Sequence, residues 1–166
     1  MKFGVTSDGS SEAIENLIQI IQGAQAEGQQ VAVIVSAMSG ITNLLETGIL
    51  GAAGGDAESH HAIGRTLREK HENVLKTLAP DEFEPVLAEI DDLIQGYVRF
   101  CDSVAVLGEA TPRALDYTMG LGERMSARQI AAALRAANVS STAIDATRLI
   151  VTDDCFQNAA PDLTAT

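Results

Sequence analysis

Apolar positions change their period along this chain, and each change predicts a new element. Over residues 12–26 they fall at Ile14, Leu17, Ile18 and Ile21, which is helical spacing. Asp8-Gly9-Ser10-Ser11 ahead of it is turn material that also caps a helix, and Gly28 ends the helix. Residues 31–35 then form a continuous apolar run of valines, alanine and isoleucine. That is the pattern of a strand buried on both faces of a parallel sheet. Residues 1–5 predict a second short strand, so the opening reads as a strand–helix–strand crossover.

Beyond Gly40 the pattern turns helical. Residues 41–50 predict a short helix and residues 51–56, Gly-Ala-Ala-Gly-Gly-Asp, a flexible break. Residues 62–78 carry Ile63, Leu67, Val74, Leu75 and Leu78 at helical spacing. Asp81 and Glu84 make a capping-box variant that opens a helix running to about Val106. Thr111-Pro112 pairs a capping hydroxyl with proline at the first helical position. Gly120 and Gly122 interrupt that helix, and another is expected over residues 123–137. Residues 139–144 and 148–151 predict further short strands, and residues 158–162 a loop. The whole is an α/β chain.

Length and composition narrow this picture. The chain has 166 residues, enough for one domain with a sizeable core, and aromatics are scarce. The core is therefore aliphatic, which suits helices packed on a sheet better than a β-sandwich. Net charge is −12, from 11 basic and 23 acidic residues. Such a balance excludes nucleic acid, which needs a basic footprint, and anionic membrane surfaces. Cys101 and Cys155 have no metal or redox spacing and read as free thiols of a reducing compartment. With no signal sequence and no apolar run long enough to span a bilayer, a cytoplasmic protein is expected.

Three stretches bear on chemistry. Lys2-Phe3-Gly4-Val5-Thr6-Ser7 reads either as a phosphate cradle or as an ordinary strand-to-helix turn. In the first reading Lys2 supplies charge, Gly4 lets the backbone approach, and Thr6 and Ser7 donate hydrogen bonds. Ser36-Ala37-Met38-Ser39-Gly40-Ile41-Thr42-Asn43 follows a strand, where α/β sheets bind ligands. There Ser36 and Thr42 either hold a carboxylate or merely cap a helix. Glu123, just after a glycine break, either receives a substrate ammonium group or caps its own helix. No metal site is expected. Adjacent His60 and His61 on a helix point about 100° apart and should not share an ion. The acidic group Asp81, Glu82, Glu84, Glu89, Asp91 and Asp92 reads as a solvated helix face, and Asp153-Asp154 as a turn.

Together these residues resemble the aspartokinases of the amino-acid kinase superfamily. Residues 2–7 match the family's Lys-Phe-Gly-Gly-Thr-Ser motif except at Val5, and residues 33–43 nearly reproduce its valine-rich Ser-Ala-Met-Ser-Gly-Val-Thr-Asn motif. Residues 122–127 match Gly-Glu-Arg-Leu-Ser-Ala except at Met125, and residues 151–159 match Val-Thr-Asp-Asp-x-Phe-x-Asn-Ala. The stretch around Arg68-Glu69-Lys70-His71 also looks like the helical insert of the archaeal-type members, here about residues 56–110. The resemblance implies a three-layer αβα amino-acid-kinase-like fold with a mainly parallel sheet, present here as its N-terminal, amino-acid-binding part. The C-terminal nucleotide-binding part and the regulatory ACT domains would be absent.

The implied reaction moves the γ-phosphoryl group of ATP, with Mg2+, to the β-carboxylate of L-aspartate. This step opens lysine, threonine and methionine biosynthesis. Lys2 would be catalytic, beside the transferred phosphoryl group, where electrostatics do most of the work. Lys2, Phe3, Gly4 and Val5 would line the phosphate path, and Ser36, Thr42 and Glu123 would hold aspartate. A β-branched Val5 where the family has glycine should weaken phosphate binding. The chain by itself is expected to be inactive, and to work as a homo-oligomer or with a complementing C-terminal half. Two alternatives stand beside this reading: a non-catalytic half-domain that binds or assembles, and a kinase of acetylglutamate, glutamate or carbamate.

Overall fold

A computed structural model describes residues 1–3 and 11–166, residues 2 and 3 by their backbone. The predicted turn at residues 8–10 and the site residues Gly4 and Val5 lie outside that set. Among the described residues six helices make the body: α1 (Ser11–Ala26), α2 (Ile41–Ala53), α3 (Ser59–Leu78), α4 (Phe83–Leu107), α5 (Pro112–Met119) and α6 (Leu121–Ala136). Two short strands, β1 (Lys2–Phe3) and β2 (Ile34–Val35), pair in parallel, with Lys2 opposite Ile34 and Phe3 opposite Val35.

Each helix follows from its stripe and its ends. In α2 the residues Ile41, Leu45, Ile49 and Ala52 repeat every three or four positions, and all four are fully buried. In α4 the stripe is Val86, Leu87, Ile90, Ile94, Tyr97, Cys101 and Val104, again buried throughout. Burying one such aliphatic side chain contributes roughly 1.5–3 kcal/mol, so these faces dominate folding. The predicted break at residues 51–56 shrinks to a turn. Helix α2 continues to Ala53, and Asp56 Oδ1 accepts the backbone N–H groups of Glu58 and Ser59, each at 3.0 Å, to start α3. The Thr111–Pro112 start is as read: Thr111 Oγ1 accepts the Ala114 N–H at 3.2 Å.

Helix α6 is the centre of the body. It packs against α1 through α5 and against β2. Helices α3 and α4 form a hairpin through a 3₁₀ turn at Pro80–Glu82 and close over α2 and α6. The capping box at Asp81 and Glu84 is not formed: that 3₁₀ turn intervenes, and Glu82 holds the N-cap position with no side-chain cap bond. Nor is the acidic stretch simply solvated. Glu82 pairs with Arg135, Glu89 with Arg128 at 3.1 Å, and Asp91 with Arg68 at 3.1 Å, which ties the α3–α4 hairpin together and to α6.

The strand side differs from expectation. The run at residues 31–35 contributes only Ile34–Val35 to a strand, and Ile34 is 63 % exposed rather than buried on both faces. Residues 139–144 and 148–151 are not strands. Helix α6 ends in a left-handed Asn138 (φ 61°), whose neighbour Val139 donates its N–H to Leu134 O at 2.9 Å. The chain then runs along α6, held by Ser141 Oγ to Ala131 O (2.9 Å) and Arg135 Nη1 to Ser141 O (3.2 Å), bonds that replace a sheet ladder. A 3₁₀ turn occupies Ala146–Arg148, and Thr152 and Pro161 form an isolated antiparallel bridge. Within that loop Asp153 Oδ1 accepts the N–H groups of Cys155 and Ala160, each at 3.1 Å, the turn role expected of it. No described helix is long and apolar enough to cross a membrane.

Candidate functional site

The parallel register sets the geometry of the site. Because β1 and β2 run the same way with Phe3 opposite Val35, the chain leaves both strands on the same side. The β1 backbone is anchored there by Met1, whose ammonium group donates to Ala32 O at 2.7 Å and whose carbonyl accepts the Ile34 N–H at 2.9 Å. The Lys2 and Phe3 side chains, Gly4 and Val5 lie outside what is described. The β1 backbone fixes only where that segment departs.

Beyond β2 the chain passes through half-buried Ser36, buried Ala37 and Met38, and exposed Ser39. Gly40 then takes a left-handed φ of 77°, a conformation that disfavours other residues, and the turn opens into α2. Thr42 is therefore the second residue of that helix and half-buried, in the first turn where backbone N–H groups are unpaired. Met38 seals the turn from below. Its sulfur accepts from Gln129 Nε2 at 3.5 Å, and Gln129 Oε1 pairs with His71 Nδ1 at 2.6 Å, all three residues buried. Burial holds the His71 imidazole below its ordinary range, so it is neutral there.

Glu123 reaches this turn from α6. Its Oε1 accepts the Ala37 N–H at 3.2 Å, across 86 residues of sequence. Gly122 makes that contact possible. A Cβ at residue 122 would stand 2.7 Å from Ala37 Cβ and 3.2 Å from Ile41 Cγ2, so only glycine lets the start of α6 approach the turn this closely. Glu123 also lies in the first turn of its helix, where the dipole favours a carboxylate. The next residue, Arg124, points elsewhere and pairs with Asp145 Oδ2 at 2.8 Å. Burial pushes the Asp145 carboxyl up, but the Thr147 hydroxyl and N–H and the Arg124 guanidinium outweigh it and hold the group below the usual carboxylate range.

The structure thus brings the Ala37 amide and Glu123 together, with Ser36 next to Ala37 in sequence and Thr42 five residues beyond it in α2. It does not unite them with the apolar groove beside β2. That groove, about 420 Å³, lies between α1, α6, β2 and residues 139–144, and is lined by apolar side chains such as Val33, Val35, Ile130 and Leu134. Three residues shape the site in ways the sequence reading missed. The Ala37 amide carries no side-chain signal. Gly122 did appear, but as a helix break rather than a point of close approach. Gln129, inside an apolar helix face, was the detectable one: a polar residue on a buried stripe needs a partner. The loop at residues 152–161 docks on α5, through Gln157 N–H to Asp116 Oδ2 at 2.8 Å and Arg113 5.4 Å from the Phe156 ring centre.

A family model described as the amino acid kinase family matches residues 1–164. The chain is 30% identical to the aspartokinase of Chlamydia muridarum over 164 residues, covering 98% of this chain and 33% of that protein. It is 29% identical over 150 residues to the bifunctional aspartokinase/homoserine dehydrogenase 1 of Arabidopsis thaliana, covering 90% of this chain and 16% of that one. Among solved structures it is similar to E. coli aspartokinase III in complex with lysine and aspartate. There the TM-score is 0.76 and the identity 26%, over 99% of this chain and 35% of that one. The same enzyme in complex with aspartate and ADP superposes with a TM-score of 0.70. The chain therefore spans between about a sixth and about a third of the length of these relatives.

Proposed function

Because the chain belongs to the amino acid kinase family, we propose that it is the amino-acid-binding N-terminal part of an aspartate kinase. The observation that carries this reading is the Ala37 N–H to Glu123 Oε1 contact. It joins two separate motifs into one polar end of the strand–turn–helix unit. In this reading Glu123 keeps lone pairs for the ammonium group of aspartate, while Ser36 and Thr42 hydrogen-bond a carboxylate. Lys2 leads into the phosphate path with Phe3, Gly4 and Val5, and its charge stabilises the transferred phosphoryl group. The β-carboxylate of aspartate forms the new bond to the γ-phosphorus as the bond to the bridging oxygen breaks, giving 4-phospho-L-aspartate and ADP. Mg2+ bound with ATP would neutralise phosphate charge.

The finer fold expectation, a three-layer arrangement with a mainly parallel sheet, belongs to the same proposal. Its support is the parallel β1–β2 pair, together with the exposed apolar residues Ile34 in β2 and Ile144 and Ile150 after α6. A complementing C-terminal half, or a second copy, would cover them. These exposed residues also favour the second reading, a half-domain that assembles without catalysing.

One chimera separates the two. Residues 1–166 replace the matching segment of E. coli aspartokinase III, and aspartate-dependent ADP release is followed. The expected result is turnover, with the KM for aspartate raised tenfold or more by Glu123→Gln and turnover increased by Val5→Gly. Residues 1–166 alone should show none. A folded chimera that binds aspartate but never releases ADP would favour the assembly reading, and one that binds no aspartate would overturn the substrate assignment.

A further inference from the structure

One cluster of side chains lies outside the site above. His60 and His61 stand in the first turn of α3, and Asp102 lies near the end of α4. The two Nε2 atoms lie 2.8 Å and 3.4 Å from the same Asp102 Oδ1, and the imidazole rings are 4.4 Å apart, centre to centre. The ligand atoms of all three residues fall within 4.8 Å of one another. The expectation that adjacent histidines diverge holds for where their side chains leave the helix. It fails at the ring ends, because both rings turn onto one carboxylate.

We propose that His60, His61 and Asp102 bind one divalent transition-metal ion of the zinc type, with a coordination position left open to water. A tetrahedral ion with bonds of about 2.0–2.1 Å sets its ligands about 3.3 Å apart. His61 and Asp102 already stand at that spacing. His60 and Asp102 are closer, by roughly half an ångström, and the half-exposed Asp102 side chain is free to give. Two imidazoles and one carboxylate suit zinc, nickel or copper, whereas magnesium and calcium prefer oxygen alone. Fully buried His60 fixes the site, and partly exposed His61 and Asp102 leave an entry path. A hydrogen bond from His60 would tie α3 to α4 without any help from His61. Yet His61, with water available, faces the same oxygen.

Two features keep the affinity modest. Metal on His60 Nε2 leaves the ring proton on Nδ1, which is buried without a partner among the described residues. His61 also borders an open groove with Arg65, Arg68 and Arg99, whose charges oppose a cation. Calorimetric titration of the 166-residue chain with Zn2+, and separately with Mg2+, tests the proposal. The expected result is one Zn2+ per chain with a Kd on the order of 10 µM and no response to Mg2+. His61→Ala and Asp102→Asn, at accessible positions that leave the fold intact, should each weaken zinc tenfold or more. Visible bands of bound Co2+ should disappear in the same variants. Zinc binding unchanged in both variants, or none below about 1 mM, overturns the proposal and leaves a helix-to-helix hydrogen bond. Neither outcome bears on the kinase reading.

Discussion

The helical body and the strand side are built from similarly apolar sequence, yet they end up very differently. In α2, α4 and α6 nearly every aliphatic residue on the inner stripe is buried. Around β2 and through residues 143–166 the apolar side chains Ile34, Ile144, Leu149, Ile150, Val151 and Leu163 are exposed. The difference lies in where the backbone bonds close. A helix pairs its own N–H and C=O groups and needs only one face covered. A strand pairs with another strand and has two faces to cover. The short runs at residues 139–144 and 148–151 meet neither condition here. They fall back on side-chain bonds from Ser141 and Arg135 and on a 3₁₀ turn.

The sharpest way to break this contrast is to cut one aliphatic side chain on each side. Leu45→Ala, at a fully buried position, should cost about 2–5 kcal/mol in denaturant unfolding. Leu163→Ala, at an exposed one, should fall within about 0.5 kcal/mol of the parent. Equal losses would mean that residues 143–166 are packed as tightly as the body. Next in size is Gly122→Ala, at the junction of the two regions. Its Cβ meets Ala37 and Ile41, so about 1–3 kcal/mol should be lost. Aspartate affinity in the chimera should fall with it, since Glu123 is pushed from the Ala37 amide. A loss of stability without a loss of affinity would separate packing from the site.

The smallest effect is one of pH. His71 lies within the body, and burial holds its imidazole below its ordinary value of 6.5. As pH falls through 6.5 the unfolded chain takes up a proton that the folded chain refuses. Protonation therefore favours unfolding, and the His71 contribution drops by at most about 1.4 kcal/mol per pH unit until the folded group protonates in turn. Unfolding free energies at pH 7.5 and 5.5, read at those two conditions, should differ less in His71→Gln than in the parent. An unchanged slope would show that the buried pair with Gln129 has little influence.

Cysteine chemistry follows the same division. Cys101 sits inside α4, where burial pushes its thiol up to about 11, and Cys155 is exposed in the loop that docks on α5. Both are free thiols, as their spacing led one to expect.

Helix spacing, the Thr111–Pro112 start and the candidate turn at residues 36–43 were all legible in the residues alone. Each depends on contacts a few positions apart, which sequence displays directly. Ser36, Thr42 and Glu123 were legible as polar residues at helix starts, and their role in binding aspartate is the proposal made above. What the tertiary structure decided is which distant groups meet. Ala37 finds Glu123 because Gly122 allows α6 so close, and His60 and His61 converge because Asp102 of another helix lies between them. In the acidic stretch after α3, Glu82, Glu89 and Asp91 meet arginines of α3 and α6, while Asp81, Glu84 and Asp92 stay exposed. Periodicity encodes which face of an element is apolar. The distance between two faces is set only when the helices pack, because close-packed side chains leave so few ways for them to approach.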